Sequence, residues 1–182
     1  MKTTFYMVRH GQPDWGWAET MRFFGPCSAY MPLTPLGVEQ IEHTACDPQL
    51  RGAAFILASP YTRTMQSAQI LSRRLDLPVT VEWDLHEWLY DRDMKGDLPT
   101  PEERFGREDM TRCFFFYMEH DELTGEDNCE TAAVIAERVL ACLRRYDGQA
   151  EKIIVVCHEG VIRSVTGMKA VNLGQVVPVM LE

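Results

Sequence analysis

Two histidines in this chain each follow a short apolar run of the kind that forms a buried strand. His10 comes after the run 3–8 and directly after Arg9, and His158 comes after the run 153–157. A neutral imidazole is a competent nucleophile near pH 7, and a guanidinium group binds a phosphoryl group through paired hydrogen bonds. The residue types therefore indicate a site for an anion, most naturally a phosphoryl group.

A third candidate residue, Arg63, lies in the segment SPYTRTMQSA at 59–68. Ser59 suits a helix N-cap and Pro60 suits the first helical position, which predicts a helix over 60–75 with Arg63 near its start. The N-terminus of a helix itself favours anions. Ligands of open parallel sheets bind beyond the carboxyl ends of the strands, so we expect Arg63 to lie beside the two histidines.

The elements that must position these residues alternate between short apolar runs and helical patterns. Runs rich in Val, Ile and Phe predict strands at 3–8, 54–58, 79–83, 153–157 and 176–181. Apolar residues at spacings of three and four, with suitable caps, predict helices at 35–45, 60–75, 130–146 and 160–171. This alternation predicts an α/β fold, a three-layer sandwich in which a mostly parallel central sheet is flanked by helices.

The length predicts a single domain over 1–182, because a chain of 182 residues can bury one substantial core. The stretch from about 91 to 128 differs from the rest. It combines Pro99 and Pro101 with many acidic residues and an aromatic cluster at 114–117. We interpret it as a helical insertion that packs over one edge or face of the sheet.

The composition argues against several classes of partner. The chain has 18 Lys and Arg against 27 Asp and Glu, a net charge of −9, which disfavours nonspecific binding to nucleic acid or anionic membranes. No run approaches the roughly 20 apolar residues of a membrane span, and no signal-peptide pattern is present. The six cysteines are scattered without a CxxC pair, so we expect free thiols in a cytoplasmic protein and no metal site. A homodimer through an edge strand is compatible with the sequence.

Five short motifs follow one another along the chain: RHG at 9–11, MPLTPLGVEQ at 31–40, SPYTRTMQSA at 59–68, LHE at 85–87 and CHEG at 157–160. In this order they resemble the histidine phosphatase superfamily, also called phosphoglycerate mutase-like. The tripeptide RHG alone would be a weak signal. RHG together with SPxxRTxQSA and a second histidine at the end of a late strand is a strong one, and the resemblance covers most of the chain.

The resemblance implies a phosphatase that works through a covalent phosphohistidine. His10 would be the nucleophile. Arg9, Arg63 and His158 would hold the phosphoryl oxygens and stabilise the transition state. Glu87 stands where the family has the acidic residue that protonates the leaving oxygen. No metal or other cofactor is implied, because the arginines supply the positive charge, and the expected substrate is a small phosphorylated metabolite.

The residues after each histidine depart from the family pattern. Pro13 and Gly16 stand where Thr and Asn are usual, which removes two polar groups that commonly line the phosphate pocket. Gln12 is the candidate replacement as a substrate-binding residue. Glu159 stands in a motif that more often continues with Gly-Gly, and it adds a negative charge beside the pocket. These changes, with the short chain, favour a phosphatase over a mutase.

Three other functions are compatible with parts of the pattern. A phosphoglycerate mutase-like phosphotransferase would keep the chemistry and change the acceptor. A noncatalytic phosphate-binding module would explain the missing Thr and Asn, but it would not need a nucleophile. A cysteine nucleophile at Cys157 beside His158 is disfavoured, because adjacent residues on a strand point to opposite faces.

Overall fold

A mixed five-stranded sheet forms the centre of the computed structural model, which describes residues 2–21, 25–89 and 130–181. The strands are β1 Thr4–Arg9, β2 Ile56–Ala58, β3 Val79–Val81, β4 Lys152–Cys157 and β5 Val176–Met180. Their order across the sheet is β3-β2-β4-β1-β5, and neighbours pair in parallel except for β5, which is antiparallel to β1. The predicted α/β fold with a mostly parallel sheet is confirmed.

Helices cover both faces of this sheet. They are α1 Trp15–Thr20, α2 Pro35–Thr44, α3 Thr62–Leu75, α4 Ala132–Arg144 and α5 Glu159–Thr166, with short 3₁₀ segments at Gly25–Tyr30, Pro48–Leu50 and Trp83–Leu85. Along β4, Ile153 and Val155 belong to one buried cluster with α4 and α5, whereas Ile154 and Val156 belong to a second cluster with α2 and α3. Side chains that alternate in this way bury both faces of the strand and produce the three layers.

The start of α3 differs from the prediction. The helix begins at Thr62, with Tyr61 as its N-cap residue, instead of at position 60. Ser59 still has the hydrogen bonding of the sheet, since its N–H donates to the Val156 carbonyl at 3.0 Å. The predicted capping role of Ser59 is wrong, because Tyr61 is the N-cap residue and the Ser59 hydroxyl is bonded to His158.

The loop after β1 packs directly on the first turn of α2. Thr34 caps this helix as its sequence suggests, with its hydroxyl accepting from the Gly37 N–H at 2.9 Å. A Cβ atom built on Gly11 would lie 2.2 Å from the Gly37 carbonyl oxygen, and one built on Gly37 would lie 2.4 Å from the Gln12 carbonyl oxygen. Two glycines therefore permit a backbone-to-backbone contact that fixes the chain immediately after His10.

The remaining predictions on the fold have different outcomes. Helices α4 and α5 are shorter than the predicted 130–146 and 160–171. The predicted insertion at 91–128 lies outside the described residues, and the single domain over 1–182 stays a prediction. Within the described part of the chain, no helix is both long and apolar enough to cross a membrane.

Candidate active site

The predicted site residues lie near the carboxyl edge of the parallel strands. His10 directly follows β1, Ser59 follows β2, and His158 follows β4, and these three strands are neighbours in the sheet. Glu87 comes after β3 and the 3₁₀ turn that follows it. The rings of His10 and His158 have their centroids 5.2 Å apart. The convergence expected from the sequence is therefore present in the structure.

His10 is held as a neutral imidazole whose Nε2 carries the lone pair. It is buried, and its Nδ1 lies 2.7 Å from the Gly11 carbonyl oxygen, which can only accept a hydrogen bond. Nδ1 therefore carries the proton. Burial, together with the charges of Arg63 and Arg9, holds the pKa of His10 well below its usual value. The lone pair is therefore on Nε2, where it accepts a hydrogen bond from a guanidinium N–H, and Nε2 is the atom that would act as a nucleophile.

His158 is neutral for similar reasons but in the opposite tautomer. Arg63 Nη2 donates to its Nδ1 at 3.3 Å, so the proton of this ring is on Nε2, which donates to Ser59 Oγ at 2.8 Å. Burial, Arg63 and His10 together hold the pKa of His158 well below its usual value. The ring of Tyr61 packs against His158 with centroids 4.9 Å apart. These contacts fix the orientation of His158 beside the nucleophile.

Arg63 is a buried cation between the two histidines. Its Nε donates to His10 Nε2 at 3.1 Å, its Nη2 contacts His158, and its Nη1 donates to the Ser28 carbonyl at 3.0 Å. No carboxylate forms an ion pair with Arg63 among the residues that the structure describes. A buried charge without a counter-ion is costly, and an anionic ligand offsets that cost. This geometry favours a phosphoryl group at the point where His10 and Arg63 meet.

Arg9 is already paired within the site. Its Nη1 lies 2.9 Å from Glu159 Oε2 and also donates to the Val171 carbonyl. Glu159 occupies the first position of α5, so the negative charge predicted beside the pocket lies on one of the predicted phosphate ligands. The Arg9 charge still contributes to lowering the pKa of His10, after burial and Arg63.

Glu87 reaches the same edge of the sheet from the loop after β3. Its Oε1 accepts from its neighbour Trp88 N–H at 3.0 Å, and its Oε2 accepts from the Gly160 N–H at 3.4 Å. Gly160 lies two residues after His158, in the first turn of α5. Desolvation raises the pKa of Glu87, although the two N–H groups and Arg63 oppose this change. A carboxyl group with a raised pKa is suited to donate a proton.

Gln12 is the predicted site residue that the structure does not bring to the histidines. Its side-chain Oε1 accepts from Thr34 Oγ1 at 2.9 Å, and its backbone N–H donates to Gln40 Oε1 at 2.8 Å. These contacts tie it to α2 and to the N-cap residue of that helix. Its assignment as a phosphate ligand stays a prediction.

Sequence reasoning missed three polar or aromatic residues of the site. Ser59 bonds His158, Tyr61 packs on it, and the Ser67 hydroxyl accepts from the Gly11 N–H at 3.3 Å. All three lie within the motif SPYTRTMQSA, so a signal was present. Cys157 is buried and desolvation raises the pKa of its thiol, which agrees with the rejection of a cysteine nucleophile.

An α/β fold that brings two histidines and a buried arginine to one edge of its sheet agrees with the arrangement that the motifs predict. The family model of the histidine phosphatase superfamily (branch 1) matches residues 5–172, and the chain belongs to this superfamily. The family resemblance and the enzyme class predicted from the motifs are therefore confirmed.

The known proteins that are similar to this chain include a relative named as a mutase and solved structures named as phosphatases. A stretch of 82 residues, 45% of this chain, is 33% identical to "Probable phosphoglycerate mutase GpmB" of Proteus mirabilis (strain HI4320), and it spans only 36% of that protein's length. Two solved structures share the fold. A mycobacterial glucosyl-3-phosphoglycerate phosphatase has a TM-score of 0.71 at 20% identity, with 98% of this chain and 90% of that chain covered. The α-ribazole phosphatase of Shigella flexneri has a TM-score of 0.64 at 20% identity, with 97% and 89% covered.

Proposed function

We propose that this protein is a metal-independent phosphatase that hydrolyses small phosphomonoesters through a phosphohistidine at His10. The observation that carries the proposal is the Nε2 lone pair of His10, 3.1 Å from the Nε of a buried arginine that has no carboxylate partner among the described residues. A phosphoryl oxygen that takes over the Arg63 N–H would free the Nε2 lone pair to attack phosphorus, and Arg63 would offset the charge of the phosphoryl group. This contact pair supports the proposal, because covalent phosphoryl transfer needs a positioned nucleophile and a cation beside it.

The first half of the reaction forms the phosphoenzyme. His10 Nε2 attacks phosphorus, the Nε2–P bond forms, and the ester P–O bond breaks. Glu87 donates its proton to the leaving oxygen, so the alcohol departs neutral. The Nδ1–H bond to the Gly11 carbonyl persists and stabilises the positive charge that develops on the ring.

The second half returns the enzyme to its starting state. Glu87, now ionised, takes a proton from a water molecule that attacks phosphorus. The Nε2–P bond breaks, inorganic phosphate leaves, and His10 recovers its lone pair. Arg63 contacts the phosphoryl oxygens throughout, and it is already held by the Ser28 carbonyl. His158 contacts them when Ser59 Oγ donates to its Nε2, because Nδ1 then carries the proton of the ring. Such preorganisation means that little rearrangement is required at the transition state.

The positive charge of the arginines is the reason to propose catalysis without a metal ion. Glu82, Asp84 and Cys142 are the group of described residues whose ligand atoms lie close enough to hold a metal. Arg145 pairs with both carboxylates of this group, at 2.6 Å for Glu82 and 3.0 Å for Asp84. Because these oxygens already have a cationic partner, the group is better explained as an ion-pair cluster.

The proposed substrate and location are supported by the names of the structural neighbours and by the net charge of the chain. The two structural neighbours are named as phosphatases of phosphorylated metabolites, which supports a small phosphomonoester as substrate. The net charge of −9 supports a protein without nucleic-acid or membrane partners, and a cytoplasmic location is part of the same proposal. The name of the Proteus mirabilis relative supports a second candidate, transfer of the phosphoryl group to another metabolite as in a mutase.

Product stoichiometry distinguishes these functions. We expect the protein to release one ³²P-phosphate for each p-nitrophenol from ³²P-labelled p-nitrophenyl phosphate, in excess chelator and with an unlabelled sugar phosphate acceptor present. A yield of labelled phosphate below that of p-nitrophenol, with a doubly phosphorylated, labelled acceptor formed, would establish transfer instead. Binding of phosphate without any release of p-nitrophenol would favour a noncatalytic module. Loss of activity in chelator, restored by a divalent cation, would contradict the metal-independent mechanism.

Glu159 is expected to select against substrates with additional negative charge. The Glu159→Gln variant frees Arg9 and removes one negative charge near the pocket, a change of about 1 kcal/mol in the binding of a further anionic group. We expect the KM for 3-phosphoglycerate to fall about fivefold relative to that for glycerol phosphate. The matched control is Glu151→Gln, an exposed residue directly before β4 and therefore at the opposite edge of the sheet. An equal KM ratio in both variants would contradict this role.

A further inference from the structure

The loop that carries Glu87 has no regular structure of its own. Residues 86–89 follow a 3₁₀ turn and belong to neither a helix nor a strand. The carboxylate of Glu87 contacts only N–H groups of Trp88 and Gly160 in the hydrogen bonds described above. General acid catalysis requires a proton held within hydrogen-bond reach of the leaving oxygen. Some other part of the protein must therefore fix this loop.

Glu130 holds the far end of the loop through both its backbone and its side chain. Its N–H donates to the Leu89 carbonyl at 3.0 Å, and its Oε2 accepts from the Leu89 N–H at 2.9 Å. Its own carbonyl accepts from the Trp88 indole Nε1 at 2.7 Å. The Glu130 side chain is only 4% exposed. Glu130 is therefore hydrogen-bonded to both residues that directly follow Glu87.

Arg138 of α4 connects Glu130 to the near end of the loop. Its Nε lies 2.6 Å from Glu130 Oε1, and its Nη2 lies 3.0 Å from Glu130 Oε2, which is a bidentate pair. Its Nη1 donates to the Asp84 carbonyl at 2.6 Å. Arg138 and Glu130 together therefore connect Asp84 to Leu89, with Glu87 between these two points of attachment.

Glu130 is buried and the Arg138 side chain is only 14% exposed, so the pair is largely shielded from water. A buried ion pair contributes little net stability compared with apolar residues of the same size, whereas its directional bonds fix a unique arrangement. Here the bonds of Arg138 and Glu130 reach the main chain of Asp84 and Leu89, which lie on either side of Glu87 in the sequence. Buried His86 is part of the same arrangement, with Nδ1 2.7 Å from the Glu87 carbonyl oxygen and 3.9 Å from Glu130 Oε2.

We propose that Glu130 and Arg138 are positioning residues that hold Glu87 at the distance required for proton transfer to the leaving oxygen. The inference rests on the proposed function, because it assumes that Glu87 is the general acid. It does not assign either residue a contact with the substrate. The proposal predicts that substitution of Glu130 or Arg138 lowers kcat/KM mainly for substrates whose leaving group requires a proton.

The test compares two substrates by kcat/KM, which reports only the steps up to release of the leaving group. p-Nitrophenol leaves without a proton, whereas the alcohol of β-glycerophosphate requires one. In Glu130→Gln we expect kcat/KM for β-glycerophosphate to fall about tenfold to a hundredfold, the cost of a misplaced catalytic group. The value for p-nitrophenyl phosphate should change less than about threefold by the same reasoning. Arg138→Gln should behave alike, and Arg138→Lys should recover part of the loss.

The matched control is Arg145→Gln. Arg145 follows α4 and also pairs with the segment before the loop, through Glu82 and Asp84, but it makes no contact with residues 86–89 in the part of the chain that the structure describes. Its substrate ratio should equal that of the wild type. Equal losses on both substrates in Glu130→Gln, or a changed ratio in Arg145→Gln, would overturn the proposal.

The result also separates this inference from the proposed function. If Glu87→Gln changes the substrate ratio and Glu130→Gln does not, the positioning role is wrong and the general acid stands. If the wild type hydrolyses neither substrate, or Glu87→Gln leaves the ratio unchanged, the general acid assignment is wrong and the inference falls with it. Thermal unfolding of each variant establishes that the folded protein is compared.

Discussion

His10→Ala should abolish phosphatase activity, with kcat/KM lower by on the order of 10³-fold or more on every substrate. The loss should be independent of the leaving group, because the Nε2 lone pair is needed to attack phosphorus whatever departs. Alanine also removes the group to which Arg63 Nε donates at 3.1 Å. Phosphate binding by Arg63 and His158 should persist, so inorganic phosphate should still protect the variant against thermal unfolding.

Covalent labelling provides the second readout for His10. A ³²P-labelled phosphomonoester mixed with the wild type and quenched in alkali should leave label on the protein, and acid should remove it, since phosphohistidine is acid-labile. His10→Ala should carry no such label. The control is His43→Ala, because His43 is an exposed histidine of α2. Activity or label that survives in His10→Ala would mean that another residue is the nucleophile.

The position of the catalytic pair could be predicted because two simple rules act together. Apolar runs that end at His10 and His158 predict buried strands, and the carboxyl ends of parallel strands meet at one edge of a sheet. The pairing of β1 with β4 satisfies both conditions, with Arg9 opposite Cys157. The same register brings Glu159 to Arg9. That ion pair became predictable only once the pairing of the strands was known.

Ser59 shows where local sequence preference gives the wrong role. A serine followed by proline is a good helix start, and the helix does begin nearby, but the Ser59 N–H still donates to β4 and its hydroxyl bonds a histidine 99 positions away in the sequence. Tertiary hydrogen bonds of this kind outweigh the small preference for an N-cap. The antiparallel direction of β5 could not be predicted either, because an apolar run predicts a strand but does not indicate whether it pairs in parallel or antiparallel.

The support of Glu87 was beyond prediction for a different reason. Glu130 and Arg138 lie 43 and 51 positions after Glu87, in the numbering of the chain, and nothing near them in the sequence indicates a contact with the loop after β3. Glu130 and Arg138 bond largely to backbone atoms, and these are the same in every residue type, so the sequence carries no signal for such contacts. A motif can therefore reveal the residue that does the chemistry while the residues that hold it in place remain unrecognised.

Glu87→Gln should impair hydrolysis of alkyl phosphates far more than that of aryl phosphates. We expect kcat/KM for β-glycerophosphate to fall about 10²- to 10⁴-fold, the usual contribution of a general acid, and that for p-nitrophenyl phosphate to change little. The next step, attack by water, also loses its base. The variant should therefore give a stoichiometric burst of p-nitrophenol followed by slow turnover, with phosphoenzyme accumulating.

The pH dependence gives the same prediction an independent test. Desolvation raises the pKa of Glu87, so its proton is retained to a higher pH than in an ordinary carboxyl group, while burial lowers the pKa of His10, so its lone pair is retained to a lower pH. Wild-type kcat/KM for β-glycerophosphate should decline as pH rises through the raised pKa of Glu87, because the acid form is lost. Glu87→Gln should lack that decline. The second ionisation of the substrate affects both proteins equally and therefore does not account for the difference.

The control is Glu137→Gln, a substitution of an exposed glutamate of α4, which should keep the wild-type profile. A high-pH limb that is unchanged in Glu87→Gln would show that another group supplies the proton.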